Sequence, residues 1–188
     1  MKLFPDFSKI IVKGGNDMKE KINVFDYAEL INKALRPGIL LNSNGDKFNS
    51  MVIGWGHLGV LWGMDTFCVY VRQSRYTKAQ IDKKKAFTIC VPLYGKPVPE
   101  INAVLGNQSG RDINKADYVT LVEPEVNGVP GVKEYPLTIE CEVIYSQDQV
   151  IGEMNEYVVD RYYSKEDTGD FHTMYVGKIV SAYIIKED

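Results

Sequence analysis

Short apolar runs rich in β-branched and aromatic residues recur along the chain, at 38–41 (GILL), 50–55 (SMVIGW), 66–71 (TFCVYV), 87–91 (FTICV), 137–145 (LTIECEVIY) and 176–185 (VGKIVSAYII). They are too short for helices and predict about six strands. Alternation is clearest at 137–145: Leu137, Ile139, Cys141 and Val143 share one face, and Thr138, Glu140 and Glu142 the other. That second face is expected to be wet. Helical patterns fall between the strands at 25–35, stopped by Arg36, Pro37 and Gly38, then at 77–86 and at 148–163. The Pro and Gly content of 122–132 marks a loop. No repeat or Ser/Pro-rich linker divides the chain, so residues 1–188 read as one domain, β-dominated with helices at its margins.

Composition narrows the function classes. With 188 residues, 45% hydrophobic and 25% charged, the chain can bury an ordinary core. Its 22 basic and 25 acidic residues leave a net charge of −3, which offers no general attraction to a nucleic acid backbone. Pro5, Asp6 and Lys9 interrupt the apolar residues at the N-terminus, and no run of about 18 apolar residues follows, so neither a signal peptide nor a membrane partner is expected. Cys68, Cys90 and Cys141 lie inside apolar runs without C-x-x-C spacing, and read as buried free thiols in a reducing cytoplasm. His57 and His172 are too isolated to suggest a metal site.

The most informative stretch is 69–85 (VYVRQSRYTKAQIDKKK), which passes from strand to helix through a turn crowded with anion-binding groups. Thr77 and Gln80 have capping-box spacing and Tyr76 can staple onto Ile81, which predicts a helix starting just after Thr77. A helix start exposes backbone N–H groups and a positive dipole end, and Arg72, Ser74 and Arg75 stand just upstream, so a phosphate would fit. The competing reading is a plain helix cap whose arginines pair with surface carboxylates. Neither G-x-x-x-x-G-K-[ST] nor a strand-following G-x-G-x-x-G is present, so any phosphate here is a single monoester on a cofactor.

Two further segments carry candidate chemistry. In 106–116 (GNQSGRDINKA), Gly106 and Gly110 permit close backbone approach, with Ser109, Arg111, Asp112 and Lys115 beside them. A turn leading into a surface helix is the bland alternative. In 47–63, Asn49 and Ser50 open an apolar strand that leads to Trp55, His57 and Trp62 among glycines, a setting for stacking a planar ligand or for core anchors.

Taken in order, FNSMVIGWG with LGVLWG, VYVRQSRYT, SGRDINK and FHTMYVGKIVSAYI resemble the flavin reductase-like FMN-binding split-barrel family, most closely its flavoredoxin branch. The resemblance runs from about residue 38 onward; residues 1–37 form a poorly matched N-terminal extension and helix, and 122–132 is unplaced. It implies a six-stranded antiparallel Greek-key split barrel with peripheral helices, a homodimer, and noncovalently bound FMN. Carried over, Asn49, Ser50, Met51 and Trp55 would lie along the isoalloxazine ring, and Arg72, Ser74, Arg75 and Thr77 would hold the phosphate and ribityl chain. Ser109, Gly110, Arg111 and Lys115 would approach the flavin, Lys115 stabilising negative charge on the reduced ring, and His172 would lie close by.

The resemblance further implies electron transfer from NADH or NADPH to a flavin or another acceptor. Two alternatives stand beside this enzyme: a carrier shuttling electrons between redox proteins, and an anion-binding β-barrel module without redox chemistry.

Overall fold

The computed structural model describes residues 18–93, 97–163 and 170–186. The chain forms β1 (Lys19–Lys21), α1 (Ala28–Leu35), β2 (Ile39–Asn44), β3 (Phe48–Ile53), β4 (Gly56–Leu61), β5 (Met64–Arg72), α2 (Tyr76–Lys84), β6 (Ala86–Val91), α3 (Pro99–Asn107), β7 (Leu121–Val122), β8 (Gly131–Val132), β9 (Leu137–Asp148), α4 (Glu156–Tyr162) and β10 (His172–Ile185). The main sheet has the order β3-β2-β6-β9-β10-β5-β4, β1 adds to β10, and β7 with β8 forms a separate ribbon. Its ladders are antiparallel. After β5, α2 carries the chain across to β6, which pairs with β2 and β9. Among the described residues no ladder joins β3 to β4, so the sheet does not close into a barrel. The expected mainly antiparallel fold with marginal helices is the one observed.

Burial on both faces explains the apolar strand runs. In β2, Ile39 and Leu41 enter the main core with Phe67, Val69, Phe87, Ile89, Ile139 and Tyr175, whereas Leu40 points into a second cluster with Phe48, Cys90, Leu105 and Tyr135. α1 contributes Ile31, Ala34 and Leu35 to the main core, so the part of 1–37 that is described is built into the domain; residues 1–17 lie outside the described residues. Cys68, Cys90 and Cys141 are free and buried. Burial pushes all three thiols up, Cys90 to about 12. No helix among the described residues is long and apolar enough to cross a membrane.

Four local expectations are corrected. The strand β4 was not expected, because Gly56 and Gly59 dilute its pattern; it pairs with β5 all the same. Nor was α3 expected, although Pro99 stands at its start, where a missing N–H costs nothing. The helix expected over 148–163 is confined to 156–162. The polar residues 146–148 instead extend β9 beyond the expected strand, pairing with 173–175 of β10, and the Thr173 hydroxyl donates to Asp148 Oδ1 at 2.5 Å.

The fourth concerns the expected wet face of β9. Thr138 and Glu140 are fully buried; Glu142 is exposed. Glu140 accepts hydrogen bonds from the amides of Glu125 (2.6 Å), Val126 (2.8 Å) and Asn127 (2.9 Å) and from the Tyr183 hydroxyl (3.0 Å). The 122–132 loop therefore packs over this face, and Asn127 also donates to the Phe87 carbonyl at 2.8 Å. The face is polar because a loop's backbone donors need acceptors there.

Candidate functional site

Two adjoining cavities, of about 240 and about 180 Å³, lie beside β3 and share Met51, Val52 and Arg75. Joined, they reach the size of small-molecule sites, roughly 300–1,000 Å³. The larger lies between β3, the start of α2, the end of α3 and the 109–111 turn; the smaller lies between the end of β3, Trp55, β5 and His172 of β10.

The larger cavity is the cationic end. The Arg75 amide closes a tight turn onto the Arg72 carbonyl at 3.0 Å, and α2 begins at Tyr76 with no acidic residue in its first turn. Among the described residues the Arg75 guanidinium has no hydrogen-bond or ion-pair partner, although it lines both cavities. Arg111 lies over the Tyr76 ring at 5.3 Å and donates to the Ser74 carbonyl at 3.3 Å.

Arg72 and Ser74 are engaged elsewhere. Ser74 gives its amide (2.8 Å) and hydroxyl (2.7 Å) to Asp170, while Arg72 donates to the carbonyls of Asp170 (3.2 Å) and Tyr162 (3.0 Å). Burial pushes the Asp170 carboxyl up, but the two bonds from Ser74 and the neighbouring arginines outweigh it and hold the group below the usual carboxylate range.

The wall opposite is built from β3. Asn49 is buried, donates to Thr77 Oγ1 at 2.8 Å, and its Oδ1 has no partner. Gly110 sits against it: a Cβ there would lie 2.0 Å from Asn49 Oδ1, so only glycine lets the turn approach so closely. Lys115 is almost fully buried and donates to the carbonyls of Ser50 (2.7 Å) and Leu105 (2.8 Å), leaving one N–H for the cavity it lines. Burial, aided by Arg75, lowers its pKa to about 8, so it remains mostly cationic at neutral pH.

The smaller cavity is the aromatic end. The His172 ring lies 4.6 Å from that of Trp55, tilted by 33°, and Tyr162 meets Trp55 edge-on at 5.4 Å. The His172 amide donates to Gln149 Oε1 at 3.3 Å, which identifies that atom as the oxygen. The Tyr163 hydroxyl donates to the same oxygen at 2.7 Å and accepts from His172 Nδ1 at 2.8 Å. The proton therefore sits on Nδ1, and Nε2 is an acceptor. Burial, reinforced by Arg72 against the opposing Asp170, lowers the His172 pKa to about 4, which keeps the ring neutral.

Of the residues singled out in the sequence, Asn49, Met51, Trp55, Arg72, Ser74, Arg75, Thr77, Ser109, Gly110, Arg111, Lys115 and His172 line the two cavities. Ser50 does not; its buried hydroxyl has no partner, and its carbonyl holds Lys115. The helix cap also differs from expectation. α2 starts at Tyr76, which is therefore inside the helix and not a staple before it, and Gln80 Oε1 accepts from the amides of Gly45 (3.0 Å) and Asp46 (2.7 Å) instead of closing a capping box. Val52, Tyr70 and Leu105 are lining residues that the sequence did not flag, since apolar wall positions look like core.

The molecule is thus an open antiparallel sheet with a cleft that is cationic at one end and aromatic at the other. The chain belongs to the flavin reductase like domain family, whose model matches residues 45–188. An uncharacterized protein of Pyrococcus abyssi is 31% identical over 156 residues, covering 82% of this chain and 76% of that protein. The flavoredoxin of Methanosarcina acetivorans superposes with a TM-score of 0.62 at 24% identity, over 79% of this chain and 68% of that one. An FMN-binding domain of a flavin reductases-like enzyme from Shewanella baltica gives a TM-score of 0.62 at 17% identity, over 90% of this chain and 78% of that one.

Proposed function

We propose that the chain binds FMN noncovalently in this cleft and acts as a cytoplasmic, homodimeric oxidoreductase, passing electrons from NADH or NADPH to a flavin or another acceptor. The observation that carries the reading is Arg75, a guanidinium without a partner among the described residues, at the junction of the two cavities. The donor set fits the cofactor. Arg75, Arg111 and the first amides of α2 would hold the phosphate monoester. Asn49, Met51 and Trp55 would face the ring, Ser109 and Gly110 would let backbone approach it, and Thr77 would keep Asn49 in place.

Bound FMN would supply the redox chemistry, accepting and releasing electrons, so no side chain need act as a nucleophile. The chain's own residues bind, orient and set charge. Lys115 brings a cation to the cleft wall, where it would favour negative charge on a bound ring. His172 presents a neutral acceptor at the aromatic end, where a ligand N–H or O–H would be recognised.

The test is to add FMN to the purified protein, pass it through gel filtration and record the visible spectrum. Flavin bands that travel with the protein are expected, and a colourless protein overturns the proposal in favour of a plain anion-binding module. R75A should weaken FMN binding by about 1.5–3 kcal/mol, the worth of one charge-assisted contact. Steady-state NAD(P)H oxidation with FMN or FAD then separates enzyme from carrier: a bound flavin that a redox protein reduces but NAD(P)H does not indicates the carrier.

A further inference from the structure

Three consecutive residues before Arg75 are tied to one short segment. The Arg72 guanidinium reaches the Asp170 carbonyl, the Gln73 amide donates to the Phe171 carbonyl at 2.8 Å, and Ser74 gives both its amide and its hydroxyl to the Asp170 carboxylate. Arg111 holds the same turn from the other side through the Ser74 carbonyl. Asp170 also lies 3.9 Å from Arg72 Nη1, so Arg72 is the arginine it pairs with, while Arg75, whose field also reaches Asp170, makes no ion pair among the described residues and lines both cavities. A two-pronged carboxylate at the tip of a four-residue turn leaves the following side chain few directions in which to point.

We infer that Asp170 is the positioning residue for phosphate recognition: by gripping the Ser74 amide and hydroxyl, it fixes the turn from which Arg75 reaches the ligand's phosphate. This rests on the FMN reading above. It makes a prediction whose sign is informative, because a carboxylate near an anion site has two opposed effects. Its charge repels the phosphate, so deleting the charge alone would tighten binding. Its grip orients Arg75, so losing the grip would loosen it.

The experiment compares wild type, D170A and D170N by fluorescence titration with FMN and with riboflavin, which has the same ring but no phosphate. D170A, which loses both grip and charge, should weaken FMN by about tenfold, the equivalent of one net hydrogen-bonded contact, with riboflavin affinity within about twofold of wild type. D170N keeps a carbonyl oxygen for the Ser74 amide and should hold FMN within about threefold of wild type. R75A should cost less in the D170A background than alone, since the two act through one contact.

Tighter FMN binding in D170A, or equal losses of FMN and riboflavin, overturns the inference. Wild-type protein that takes up neither flavin instead defeats the FMN reading. Titrating wild type and D170A with inorganic phosphate, followed by tryptophan fluorescence, then decides the positioning role, and equal affinities overturn it.

Discussion

Two carboxylates in this molecule do the same job in different surroundings. Glu140 is fully buried and satisfies three successive amides of the 125–127 loop together with the Tyr183 hydroxyl; Asp170 is about a quarter exposed and satisfies the amide and hydroxyl of Ser74. Each stands in for the backbone acceptors that an irregular segment lacks. The difference is what lies on the far side of the segment held. The Glu140 loop covers core strands, so its anchor serves stability. The Asp170 turn opens onto the cleft, so its anchor serves the aim of a side chain. A buried charge is tolerable where enough donors converge on it, and four do so on Glu140.

The strongest way to break the comparison is E140A, which should destabilise the protein by about 3–5 kcal/mol because it leaves three amides and a hydroxyl unsatisfied in the interior. Urea denaturation measures this, and a loss under about 1 kcal/mol would mean that water replaces the carboxylate. G110A acts on the cleft half of the comparison. Its new Cβ cannot coexist with Asn49 Oδ1, and Asn49 cannot swing away without losing Thr77, so a cost of about 1–3 kcal/mol is expected, along with a constricted larger cavity. Unchanged stability and unchanged flavin uptake would show that the wall yields.

The pH dependence of His172 sharpens the contrast further. Its folded pKa is lowered to about 4 from an ordinary 6.5, so the unfolded chain takes up a proton that the native state excludes. Stability should fall as the pH drops from about 6.5 to about 4, by up to about 1.4 kcal/mol per unit, and this contribution should level off below that window. H172Q should flatten this part of the profile. Identical slopes for the two proteins would mean that His172 is not held neutral.

The strands whose two faces both pack against protein were readable, because Ile39–Leu41 is apolar without interruption and Phe87–Val91 is broken only by Thr88. Twelve of the thirteen candidate site residues line the two adjoining cavities. What escaped depended on partners distant in the chain. Glu140 looked solvated because alternation distinguishes the two faces of a strand but not water from the amides of a loop. Gln80 had capping-box spacing, yet the 45–46 turn takes its oxygen, a contact that no local rule foresees. The end of β9 beyond residue 145 was missed because nothing in 146–148 announces that 173–175 will supply its hydrogen bonds. Asp170 was passed over for a similar reason: its two bonds span 96 positions of sequence.

The three free cysteines give the molecule a built-in clock. As buried thiols of raised pKa, they offer almost no nucleophilic thiolate while the sheet is intact. Cys90 and Cys141 lie on the neighbouring strands β6 and β9, and Cys68 on β5, beyond β10, so an alkylating reagent can reach them only when the sheet opens. Their labelling rate therefore counts openings of the central strands in the unmodified protein. The cleft residues carry no thiol, so ligand exchange there goes unrecorded unless it is coupled to those openings.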